Sequence, residues 1–114
     1  RILEIGNYLE KLIDEWRPET LAIEKLFFTT NQKTAMNVAE TKGAITYIAK
    51  NAGLTFREFT PLQIKIAITG YGKADKNQIA SMVRNLIDLS GKTKIIDDEY
   101  DAIAVALTCI ASTR

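Results

Sequence analysis

Histidine is absent from the chain, and cysteine occurs once, at Cys109. A zinc site of the Cys/His kind therefore lacks its ligands, and no disulfide can close within the chain. Cys109 stands inside an apolar helical run, the setting of a core residue and not of a reactive thiol. A dominant charge of one sign is missing too. The formal net charge is +1, which neither demands nor excludes nucleic acid. No apolar run reaches membrane length, and no charged-then-apolar leader opens the sequence, so a reducing cytoplasm fits best and no membrane partner is expected. Proline occurs only at Pro18 and Pro61, and each marks a break between elements.

With 114 residues, 46% of them hydrophobic, the chain can build one compact domain with a modest core. Its charge is unevenly spread. Residues 1 to 30 carry four basic and six acidic side chains, residues 60 to 94 carry six basic and two acidic, and the last twenty again favour acid. A basic block thus lies between two acidic ones. Sequence periodicity begins at once, without a leading strand or cap before Arg1, and this suggests a fragment or a trimmed product.

Ile2, Ile5, Tyr8, Leu9, Leu12, Ile13 and Trp16 recur at helical spacing and predict a helix with one apolar stripe, stopped by Pro18. Leu21-Ala22-Ile23-Glu24 reads as a short buried strand. A second helix is predicted over Gln32 to Asn51 with a broad buried face from Ala35, Met36, Val38, Ala39, Ile45, Ile48 and Ala49. Gly43 in its middle costs about 1 kcal/mol relative to Ala and points to close approach of another backbone, from this chain, a second subunit or a ligand. Gly53 closes the helix. Leu54 to Phe59 alternates as a strand. Thr60-Pro61-Leu62-Gln63 carries the signature of a capped helix start, predicting a short helix to Ile68. After the glycine-punctuated loop Thr69 to Ala74, Asp75 and Gln78 form a second capping box. They open a helix whose Ile79, Met82, Val83, Leu86 and Ile87 face the core. The last helix runs from Asp97 to about Ser112, apolar nearly all round, and is expected to be buried against the sheet.

Glu24 ends its strand, where sites form in open α/β sheets, and an ionised carboxylate there needs a partner or an ion. Asp98 and Asp101 project from one face of the last helix's first turn. Capping and the helix dipole account for one or two acids there but poorly for Asp97, Asp98, Glu99 and Asp101 together, since like charges at this spacing repel. If that turn lies against Glu24, three carboxylates converge and require a cation. Oxygen donors without His or Cys select magnesium or manganese, which can align water on a phosphodiester. The competing explanation is a solvated Glu24, or one paired with Lys25 or Arg57. Gly70 and Gly72 allow backbone amides to approach a phosphate, with Lys73 and Lys76 at a helix start; a solvated loop is the plain alternative. Lys65, inside an apolar segment, must reach solvent or a fixed anion. Of Phe27 and Phe28, one is expected in the core and the other at the site, where it can stack on or wedge between bases.

In order and spacing, several segments resemble the RuvC family, the bacterial Holliday-junction resolvases of the ribonuclease H-like superfamily. They are Ala22 to Phe27, Ala39 to Ala44 with Lys42 and Gly43, Pro61 to Lys65, Gly70 to Gln78, and Asp98 to Ala106. The resemblance implies an α/β fold, a ribonuclease H-like mixed sheet flanked by helices. It implies a magnesium-dependent endonuclease in which Glu24, Asp98 and Asp101 are catalytic and metal-binding, with manganese an alternative. Phe27 falls on the aromatic that opens the junction, with Phe28 one position away, and Lys65 and Lys76 fall on basic residues of DNA contact and catalysis. Lys42 and Lys73 join them as DNA-binding candidates. The implied partners are four-way junction DNA, a second copy in a homodimer, and the branch-migration proteins RuvA and RuvB. The family's first catalytic Asp, in an Asp-Pro-Gly motif on an N-terminal strand, has no counterpart here. The expectation is therefore a domain lacking the N-terminal strands, inactive alone, whose remaining apolar faces need another covering. Two readings compete: a ribonuclease H-like nuclease acting on RNA or other branched substrates, and a non-catalytic nucleic-acid-binding module whose acids merely cap a helix.

Overall fold

The computed structural model describes residues 1–25, 31–92 and 94–112. The described elements are α1 (Ile2–Trp16), β1 (Thr20–Glu24), α2 (Gln32–Asn51), β2 (Thr55–Phe59), α3 (Pro61–Thr69), α4 (Lys76–Leu86) and α5 (Asp97–Ser112). They gather into two compact units. One holds α1, α2 and the first residues of both strands, and the other holds the ends of both strands with α3, α4 and α5. No described helix is long and apolar enough to cross a membrane.

In the first unit, α1 packs on α2 at a close approach. A Cβ on Gly6 would meet Ile48 Cδ1 at 3.1 Å, so a larger side chain there would require Ile48 to shift. Ile13, Ala49 and Leu54 form the core, with Leu9, Leu21, Ile48 and Phe56 against it. The backbone amide of Arg17, left-handed at φ 49°, closes α1 onto the Ile13 carbonyl, and Pro18 prevents continuation. At the end of α2, Gly53 takes φ 85°. Its amide donates to Lys50 while the Leu54 amide donates to Ala49, the paired bonds of a Schellman motif. Beyond Thr55, whose amide donates to the Glu19 carbonyl at 2.9 Å, the chain continues as β2.

The structure bears on three expectations here. Of the α1 stripe only Ile13 is buried, and Trp16 is 73% exposed, because α2 covers the helix on one side alone. The broad buried face of α2 reduces to Ala49, and Met36 is 63% exposed, since the close packing on α1 involves Ile48 and Ala49. Gly43 has nothing within 4 Å of an added Cβ among the described residues, so of the expected close approaches the one from this chain is corrected.

In the second unit, the Lys25 amide donates to the Phe59 carbonyl at 2.7 Å, continuing the parallel pairing of β1 and β2. β1, expected to be buried, is only half-buried along its length. Both capping boxes form as the spacing predicts. Thr60 Oγ1 accepts from the Gln63 amide at 3.1 Å and Gln63 Oε1 accepts from the Thr60 amide at 2.8 Å. Asp75 and Gln78 exchange the same bonds, each at 2.8 Å. Each box satisfies two amides that a helix start leaves without intrahelical partners.

The core of this unit is Phe59, Ile64, Ile68, Val83, Ala104, Val105 and Cys109, with Ala22 of β1 packed against it. Cys109 is buried, as its setting implied. α5 presents one face, Ala104, Val105, Thr108 and Cys109, and its helical neighbours are α3 and α4; Ile110 is 67% exposed. The expectation of a helix buried nearly all round is thus corrected, and so is that of Leu86 in the core, which is exposed. Thr108 is tolerated inside because its hydroxyl donates to the Ala104 carbonyl at 2.8 Å.

Candidate functional site

Glu24 is the last residue of β1 and is half-buried, which is the circumstance that makes a carboxylate demanding. Loss of water is the largest influence on it and holds its carboxyl above the ordinary 4.5. The Asp101 carboxylate pushes in the same direction, while the ammonium groups of Lys76 and Lys65 pull it down. These four side chains come from β1, α3, α4 and α5, so one cluster collects residues separated by most of the chain.

Each arrives by a local rule. Asp75 caps α4 and thereby fixes Lys76 as its first helical residue. The α3 capping box starts that helix at Pro61, and its buried Ile64 and Ile68 hold the turn bearing half-buried Lys65. Asp101 follows the first turn of α5, and its Oδ2 lies 3.7 Å from Lys76 Nζ. That ion pair is largely exposed and adds at most about 1 kcal/mol of stability, so what it contributes is placement.

The other predicted residues are distributed as follows. Asp98 is exposed on the first turn of α5 and is not among the charges acting on Glu24. Lys73 is exposed in the loop before α4, and Lys42 lies within α2. Phe27 and Phe28 lie outside the described residues. Among the described residues, no group of three or more His, Cys, Asp or Glu side chains is arranged to hold a metal ion. Glu24 and Asp101 are hard oxygen donors of the type magnesium and manganese prefer, but the pair with its two lysines does not make a complete site.

The acids of α5 have different fates. Glu99 Oε2 accepts from Lys92 Nζ at 2.9 Å and Oε1 accepts from the Ile96 amide at 3.3 Å. Both bonds, the lysine's first, hold its carboxyl below the usual range. Capping thus accounts for Glu99, while Asp101 faces the cluster. Sequence reasoning missed a third contact at this turn. Arg84 Nη1 donates to the Tyr100 hydroxyl at 3.0 Å, and the guanidinium carbon lies 5.7 Å from the ring centroid. Sixteen positions apart, the two residues leave no spacing signal.

Comparison with known proteins follows the same lines. A family model described as crossover junction endodeoxyribonuclease RuvC matches residues 1–109. The crossover junction endodeoxyribonuclease RuvC of Alkaliphilus oremlandii is 45% identical over 113 residues, 99% of this chain and 68% of that protein. Its counterpart in Caldicellulosiruptor saccharolyticus is 44% identical over 113 residues, with the same coverage of both. That of Fusobacterium nucleatum is 43% identical over 112 residues, 98% of this chain and 58% of the relative. A solved structure of Thermus thermophilus RuvC in complex with Holliday junction substrate superposes with a TM-score of 0.86 at 32% identity. The match covers 94% of this chain and 64% of that one. A second Thermus thermophilus RuvC structure gives 0.83 at the same identity and coverage. The chain thus spans about two thirds or less of the length of the proteins it matches.

Proposed function

We propose, from the premise that the chain belongs to the RuvC family of crossover junction endodeoxyribonucleases, that the whole protein carrying it resolves Holliday junctions by hydrolysing phosphodiesters. The observation that supports this reading is the meeting of Glu24 and Asp101 beside Lys65 and Lys76. Water adds to phosphorus while one bridging P–O bond breaks, leaving a phosphate monoester on one strand end and a hydroxyl on the other. Glu24 and Asp101 accept hydrogen bonds from the attacking water and orient it. The ammonium groups of Lys65 and Lys76 meet the charge that develops on the phosphate oxygens.

The hydrolysis is magnesium-dependent, with manganese a substitute. Glu24 and Asp101, with Asp98 as the further acid that the family resemblance implies, would hold the ion only together with ligands from the rest of the protein, and it would supply charge neutralisation. Lys42 and Lys73 contact phosphates, and Phe27 or Phe28 meets the bases at the branch point. The chain contributes to a single nuclease domain, and a homodimer places two such sites on the two-fold symmetry of a four-way junction. RuvA and RuvB are the branch-migration partners, and the setting is cytoplasmic.

A nicking assay on the whole protein tests the proposal, comparing a four-way junction with linear duplex, each with magnesium and with EDTA. Cleavage is expected on the junction alone and only with the metal. Equal cleavage of linear duplex would remove the junction from the function, and undiminished cleavage in EDTA would remove the ion.

A further inference from the structure

The first turn of a helix has amides without intrahelical partners and is the part that frays. In α5 this turn also carries Asp97, Asp98 and Glu99, followed by Asp101, and like charges at this spacing repel unless partnered. Three cations reach it from α4 and the loop that follows. Lys76 meets Asp101 at 3.7 Å, Lys92 meets Glu99 at 2.9 Å, and Arg84 donates to the Tyr100 hydroxyl at 3.0 Å. The Arg84 contact differs from the other two because Tyr100 is not an acid. Its side chain packs against the buried core of this unit, while its hydroxyl meets Arg84. Tyr100 therefore joins the fixed core to the turn, and Asp101 is the next residue.

We infer that Arg84 and Tyr100 are positioning residues that set the direction of the Asp101 carboxylate toward Glu24 and Lys76. This rests on the proposed role of Asp101 in cleavage. Neither residue touches the substrate; both act through the backbone of α5. A displacement of about 1 Å at a reacting group can cost a hundredfold in rate. A clamp whose loss lets the turn drift by part of that distance should cost about tenfold. Tyr100→Phe keeps the ring in the core and removes only the hydroxyl, so folding is spared while direction is lost.

The test uses the whole protein with Tyr100→Phe, Arg84→Met and Arg84→Lys. The first two are expected to lower kcat about tenfold with junction Kd within twofold of the parent, and Arg84→Lys, which keeps a cation able to reach the hydroxyl, to recover most of the loss. Hydrogen exchange separates positioning from general destabilisation. Amides of residues 100 to 103 should exchange about tenfold faster in Tyr100→Phe, while those of Val105, Thr108 and Cys109 stay unchanged. Parent kcat in both Tyr100→Phe and Arg84→Met, or exchange accelerated evenly along α5, overturns the inference. Asp101→Asn keeps the two ideas apart. If that variant cleaves at the parent rate, the reading beneath the inference fails. If it is inactive while Tyr100→Phe is fully active, only the clamp fails.

Discussion

At the scale of single residues, the cluster around Glu24 makes opposite demands on stability and on chemistry. A carboxyl whose pKa is raised by folding is protonated more readily in the native state than in the unfolded one. Between the ordinary 4.5 and its raised native value, the native state holds more protons, and stability falls as pH rises through that window. Above the window the loss is complete. Glu24→Gln removes the group that suffers it, so this variant should melt at a higher temperature than the parent at pH 7. The difference should shrink to nothing below the usual carboxylate range; thermal scans at pH 7 and at about pH 3.5 check both limits. The same variant should lose nicking while junction affinity stays within about twofold, the split expected of a group used in the reaction and not in binding. Lys76→Met tests the opposing influence. With one of the two ammonium groups gone, the Glu24 carboxyl should titrate at higher pH than in the parent, followed by its side-chain carbon signal. A titration that moves downward instead would mean that Lys76 does not face Glu24.

At the scale of elements, local chemistry sets where helices begin and tertiary contact decides which faces are covered. Asp75→Ala removes the acceptor for the Gln78 amide and should cost about 1 kcal/mol, with Asp75→Ser recovering most of it, measured by urea unfolding. Ile64→Ala, by contrast, opens a hole in the core and should cost about 3 kcal/mol. The contrast mirrors what could be read from the sequence. Thr60 with Gln63, Asp75 with Gln78, and Gly53 are signals carried within a few residues, and the helix bounds they announce are the ones observed. Met36, Leu86, Trp16 and Ile110 are apolar at helical spacing yet exposed, because periodicity names a face without naming its neighbour. The separation of Asp101 from Asp98 was illegible for the same reason. Both sit on one face of the first turn, and only the packing of α5 on α3 and α4 decides which of them acts on Glu24. Arg84 and Tyr100, sixteen positions apart, could be joined only by that packing.

At the scale of the whole molecule, the charge blocks of the sequence become a division of labour. A net charge of +1 gives this chain almost no long-range attraction to a polyanion, so the proposed DNA contact depends on where the lysines lie. The basic stretch from residue 60 to 94 falls entirely in the unit that also holds Glu24 and Asp101. The acids and this basic stretch thus share one compact body, while Lys42 belongs to the other, and the lysines divide by setting. Lys65 and Lys76 act on Glu24, the setting of the role proposed for them in the reaction, whereas Lys73, exposed before the cap of α4, is not among the charges acting on Glu24, which suits the phosphate contact proposed for it. Lys73→Gln should therefore weaken junction binding equally for different base sequences and make the slope of log Kd against log salt shallower by about 1, with kcat at saturating junction unchanged. Binding isotherms between about 50 and 200 mM salt provide the slope. A slope identical to the parent's would take Lys73 off the DNA, and a loss of kcat at saturation would move it from phosphate contact into the reaction itself.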